Sequence, residues 1–204
     1  MILGWVRVAQ RQWEDGLAQM RQGLTDYLAT GSLVYKSWYL SLLADACGKA
    51  AQIDEGFAAL TEALAFVEQT GERCYEAELY RLKGTLTLQA KQVKDKFRAS
   101  LKHVKTSRDK SKDTGPRPLS PDPQAEAEAC FLKAIDIAQR QQAKSLELRA
   151  VMSLARLWHR QGRTVEARGR LAEVYEWFTE GWNTADLLEA QSLLNELGYV
   201  PVRK

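Results

Sequence analysis

Proline, glycine and histidine are scarce in this chain, with five prolines, thirteen glycines and two histidines among 204 residues. Few prolines and glycines mean few obligatory breaks, and the long stretches rich in Ala, Leu, Glu, Gln and Arg favour helix. No apolar run approaches the ~18 residues of a membrane span, so no membrane partner is expected. The opening "MILGWVRVAQRQ" lacks the basic-then-apolar order and cleavage site of a signal peptide. Cysteine is also sparse. Cys47, Cys74 and Cys130 are odd in number and widely spaced, and each falls in a helical pattern. Buried, reduced thiols are expected, and with them a cytoplasmic setting.

Apolar residues make up 45% of the chain, enough for a substantial core. The formal charge of +3 is unevenly spread, because residues 91–118 alone carry an excess of seven positive charges and the remainder sums to minus four.

One pattern organises the rest. In "AEAEACFLKAIDIA" the small Ala127, the aromatic Phe131 and the small Ala134 share one helical face, since side chains three and four apart are neighbours. Gly16, Met20 and Gly23 repeat that spacing, as do Gly56, Leu60 and Ala63, and Ala167, Leu171 and Val174. The first and second copies lie 40 residues apart, as do the third and fourth, while the middle gap is 31 residues longer. A second landmark keeps the same beat: Leu3–Gly4, Leu43–Ala44, Lys83–Gly84 and Leu154–Ala155. It precedes the first by twelve residues in three copies and by 43 in the third, so both place a 31-residue insertion between Gly84 and Ala127.

Each unit therefore predicts a helix pair with small residues where its helices cross. Periods of this size indicate a solenoid in which each pair buries its apolar face on the next. Helices are expected over about 2–11, 13–29, 33–51, 54–70, 74–92 or beyond, 124–142, 146–161, 165–179 and 184–197. The last begins after an Asn183 or Thr184 cap, stops at Gly198, and carries Leu187, Leu188, Leu194 and Leu197 as an end-capping stripe. The fold class is all-α: one domain of four antiparallel pairs over about 1–31, 32–71, 72–92 plus 124–144, and 145–181, then a cap at 183–197. The first helix starts only a few residues before Gly4, so a fragment of a longer array is expected.

The insertion, 93–123, is expected to prolong the helix begun near Cys74, because no Gly or Pro interrupts Thr85–Thr114. Leu82, Leu86, Ala90, Val93, Phe97, Leu101 and Val104 form a heptad-type stripe flanked by lysines. Val93, Phe97, Leu101 and Val104 should then meet the body of the protein, a second copy or an acidic helix. After "SRDKSKDTGPRPLSPDP", Asp122 caps a new helix with Pro123 in its first turn.

The units resemble tetratricopeptide repeats (TPR), on "LADACGKAAQIDEGFAALTEAL" and "LARLWHRQGRTVEARGRLAEVY", which carry the small–aromatic–small signature. They depart from it in a period of 40 instead of 34, a missing proline after the second helix, and glycine for alanine in the first two copies. "AEAEACFLKAIDIAQRQQAKSLELRAVMSLARLW" and "WFTEGWNTADLLEAQSLLNEL" are similar to the C-terminal TPR region of large bacterial signalling proteins. There, a cyclase-type or transcription-regulator domain and an ATPase precede the repeats. The resemblance implies a non-catalytic protein–protein interaction module with a regulatory or scaffolding role. It also implies a groove lined by the first helix of each pair: Trp38, Asp45, Lys49, Glu78, Arg81, Thr85, Gln89, Arg149, Met152, Arg156 and Arg160. Arginine is prominent there, which suits an acidic peptide or another domain of the parent. Ser41 and Asp45 replace the Lys and Asn of the chaperone-tail clamp, so chaperone tails are disfavoured.

No catalytic constellation, metal or cofactor is expected. His103 and His159 have no ligand partners at metal spacing, and no phosphate loop occurs. Ser107–Lys110 has a bare Ser-x-x-Lys spacing in a polar linker. Glu14–Asp15, Asp54–Glu55 and Glu72 fall at helix starts, where they complement the dipole. Trp5, Trp13, Trp158 and Trp177 recur at packing positions. The rival reading is weak, salt-sensitive nucleic-acid or anionic-surface binding through 91–118; Phe97 is the one aromatic there, so nucleic acid is the less favoured partner.

Overall fold

The computed structural model describes residues 1–104 and 122–199. The return segment with Ser107–Lys110, the side chains of 101–104 (His103, Leu101 and Val104 among them) and residues 200–204 lie outside the described residues.

Nine helices and no strand occur among the described residues: α1 Ile2–Ala9, α2 Trp13–Ala29, α3 Lys36–Lys49, α4 Ile53–Thr70, α5 Glu76–Val104, α6 Pro123–Arg140, α7 Lys144–Arg160, α8 Thr164–Tyr175 and α9 Ala185–Glu196. None is long and apolar enough to cross a membrane. Consecutive helices pack as pairs, α1 on α2, α3 on α4, α5 on α6 and α7 on α8. The first helices also touch in succession, α1 to α3 to α5 to α7, with α9 closing the row on α7 and α8.

Small residues are required where paired helices cross. A Cβ on Gly4 would stand 2.6 Å from the Gly16 carbonyl oxygen, and one on Gly16 would stand 2.9 Å from that of Gly4. A Cβ on Gly84 would meet the Phe131 ring at 2.7 Å and the Ala127 carbonyl at 3.0 Å. Ala44, Ala127, Ala155 and Ala167 are fully buried.

The turn inside each pair is also in register. Arg11, Ala51 and Gly162 all take positive φ. Immediately after them the Gln12, Gln52 and Arg163 N–H groups donate to the carbonyls of Arg7, Cys47 and Trp158, each at 2.9 Å. These bonds satisfy end carbonyls in the manner of a left-handed helix cap. Lys91 falls at the same register in the third pair, but there the helix runs on to Val104. Gly31, Gly71 and Gln142, between pairs, are likewise left-handed.

α6 begins as expected. The Asp122 carboxylate accepts from the Gln124 N–H at 3.1 Å, and Pro123 occupies the first turn, where its missing N–H costs nothing. Thr184 precedes α9 but makes no side-chain cap bond.

Several expectations are corrected. α3 starts at Lys36, not 33, because the Tyr27 hydroxyl accepts from the Tyr35 N–H and bonds Ser32, folding that stretch into a loop. Cys74 lies in the turn before α5 and is exposed, whereas Cys47 and Cys130 are buried. Burial pushes the Cys47 thiol up to about 12. α8 stops at Tyr175, which leaves Trp177 exposed, edge-on to Phe178 and under the Lys144 ammonium. Leu188 faces solvent, while Leu187, Leu194 and Leu197 are buried. Glu72 sits in the loop before α5 and accepts from the buried Ser37 hydroxyl at 2.9 Å.

Candidate functional site: the groove along the first helices

The apolar stripes of α3, α5 and α7 are consumed by packing, so their remaining faces carry polar and aromatic residues toward one open groove of about 290 Å³. Trp5 of α1 stands at one end, and Asp186 and Glu189 of α9 at the other. Between them come Trp38, Asp45 and Lys49 of α3, Glu78 and Arg81 of α5, and Arg149, Met152 and Arg156 of α7. Thr85, Gln89 and Arg160 lie beyond, in a second hollow that shares Arg81 and Arg156. The structure thus brings every groove residue expected from the sequence to one or the other of two adjoining hollows.

Their chemistry differs from the arginine-rich surface expected, because the cations already have partners. Arg81 forks onto Glu78, Nε to Oε2 and Nη2 to Oε1, both at 2.8 Å. Arg149 Nη2 reaches the same Glu78 carboxylate at 3.1 Å, and its Nε lies 3.8 Å from Asp186. Arg156 pairs with Glu189 at 2.6 Å, and Lys49 with Asp45 at 2.6 Å. Four acids and four bases balance along the floor. Arg160 alone of the expected groove cations has no ion-pair partner among the described residues.

Burial decides which pairs are structural. Glu78 and Arg81 side chains are 8% and 12% exposed, so neither is free for an incoming ligand. Burial works against the charge on Arg81, and the Glu78 carboxylate, helped by Asp45 and Asp186, more than offsets it, so the guanidinium holds its proton more firmly than usual. Arg149 and Arg156 are more than a third exposed and can exchange partners.

The aromatic end is built on α3. Trp38 stacks on Tyr75 with centroids 6.2 Å apart and touches Tyr39 at 5.1 Å. The Lys49 ammonium lies 5.8 Å from the Trp5 ring centre. Met152, expected as groove surface, is mostly in the core and offers only an edge. The Thr85 hydroxyl is spent on the Arg81 carbonyl at 3.1 Å. The Gln89 side-chain oxygen is buried without a hydrogen-bond partner. Tyr75, Asp186 and Glu189 were missed by sequence reasoning. The acids sit three apart on α9, which reads as a cap helix, and nothing local marks them as facing Arg149 and Arg156.

No three His, Cys, Asp or Glu side chains converge as a metal site among the described residues. His159 is exposed outside the groove, its Nδ1 3.0 Å from the Thr164 hydroxyl. The chain matches no protein-family model and no curated protein.

Proposed function

We propose that the chain is a TPR-like helical-repeat module, a solenoid of four helix pairs and a cap, whose groove docks a segment of protein. The regulatory or scaffolding C-terminal part of a larger bacterial signalling ATPase is the setting that its sequence resemblance supports. The observation that carries the reading is the groove itself. Five helices from separate parts of the chain converge on one open trough, with aromatics at one end and exchangeable ion pairs at the other. The in-register crossings and turns support the repeat reading.

A charge-balanced floor does not select a uniformly acidic peptide. It suits a segment that places an apolar or aromatic anchor near Trp38 and alternating charges over Arg149, Asp186, Arg156 and Glu189, where incoming groups replace existing partners at modest desolvation cost. The test uses the ATPase region of the parent protein as bait in a pull-down. Binding is expected, and Trp38→Ala combined with Arg156→Glu should weaken it about ten-fold or more while leaving the helical spectrum unchanged. Equal capture by the wild type and the double variant would remove the groove from the interaction.

A further inference from the structure

Beyond the groove, α1 carries a second surface. Leu3 is 71% exposed, Ile2 48% and Val6 39%, three apolar side chains in one short helix. Scattered exposed apolar residues need no explanation. These three are different, because the 40-residue beat assigns each a counterpart in the later pairs.

Leu3 corresponds to Leu43, Lys83 and Leu154, Val6 to Ala46, Leu86 and Leu157, and Ile2 to Leu42, Leu82 and Ser153. Six of these nine, all three counterparts of Val6 among them, are at most 6% exposed, while Lys83 and the groove-lining Leu42 and Ser153 are half-buried. The helices that carry them each pack on the preceding helix pair: α3 touches α1 and α2, α5 touches α3 and α4, and α7 touches α5 and α6. Leu86 shows the geometry. Its two methyl carbons lie 2.9 Å from where a Cβ would stand on Gly48 of α3 and on Gly56 of α4, so it enters the crevice between the paired helices where each is smallest. Val6 holds the same register on α1 and has no crevice to enter.

We infer that the Ile2–Leu3–Val6 face of α1 is a docking surface for a further helix pair, outside residues 1–204, that presents a crevice of small residues like that of α3 and α4. The inference rests on the helix-pair register and is independent of what the groove holds. A second copy of this chain is the poorer occupant, for two reasons. Each crevice is already filled by the next first helix, the last by α9, which contacts both α7 and α8. An eight-residue α1 against its twin supplies three exposed apolar side chains, far fewer than the roughly 20–30 residues per partner of a stable interface.

The chain can be given such a pair from its own sequence. Placing a copy of residues 32–80 directly before Met1 sets the added crossing in the same register to Gly4 that Ala44 and Gly56 hold to Gly84. Hydrogen exchange of the α1 amides is then expected to slow by about ten-fold or more relative to the unextended chain. Leu3→Glu with Val6→Glu should abolish that protection in the extended protein and leave the melting temperature of the unextended chain essentially unchanged. Equally fast α1 exchange with and without the added pair would overturn the inference. So would sedimentation showing a dimer of the unextended chain that the double variant dissociates, since the occupant would then be a second copy.

Discussion

Phe131→Ala is expected to lower the unfolding free energy by about 3–5 kcal/mol, as for other fully buried aromatic truncations. Phe131 is 1% exposed and among the largest fully buried side chains. Its ring lies under Gly84, close enough that even a methyl group there would collide. That contact joins α5 to α6 across the 31-residue insertion, where chain connectivity gives no help. Collapse into the void is hindered, because Ala127 and Ala134 on the same face are already buried and have no side chain to extend. Urea denaturation followed by circular dichroism measures the effect. A loss below about 1 kcal/mol would mean that the site relaxes freely, contrary to the packing described.

Glu78→Ala should cost about 3 kcal/mol, for an electrostatic reason instead of a steric one. Glu78 receives the two-pronged Arg81 contact and the Arg149 contact together. Removing it leaves the Arg81 guanidinium desolvated, with only the more distant Asp45 and Asp186 to offset its charge. Arg149, more than a third exposed, regains water and contributes little to the loss. Glu78→Leu combined with Arg81→Met should recover most of the stability, because an apolar pair has no charge to desolvate. If Glu78→Ala melts like the wild type, Arg81 is hydrated and the groove floor is not held by this pair. If the double variant is as unstable as the single one, packing and not stranded charge explains the loss.

Helix positions were largely legible in the sequence, because small residues at Gly4, Gly16, Gly84 and Ala127 are dictated by contact distance. α2 spans the expected 13–29, and α4 comes within a residue of its expected start. The turns were less legible. Arg11 and Ala51 adopt left-handed backbone without the glycine that would announce it, and only Gly162 carries that signal. Errors of exposure arose where helical face arithmetic ran past a helix end, at Cys74 before α5 and at Trp177 after α8. The groove residues followed from register, but not their charge balance. Lys49–Asp45 and Arg81–Glu78 are local pairs within one helix. Arg149–Glu78 and Arg156–Glu189 join different helices, and sequence spacing alone does not report them.

In the proposed repeat architecture, helix pairs on a 40-residue beat build the groove and 93–123 stands outside that beat. Deleting 93–123 joins Gln92 to Gln124 and returns Lys91 to the register of Arg11, Ala51 and Gly162, where the backbone is left-handed. A lysine there costs about 1 kcal/mol relative to glycine, so the deletion is best made both alone and with Lys91→Gly. Thermal unfolding followed by circular dichroism is the measurement. A helical protein that melts in one cooperative transition is expected, with the Lys91→Gly form the more stable of the two. Loss of cooperative melting in both forms would contradict that architecture and place the inserted segment in the core.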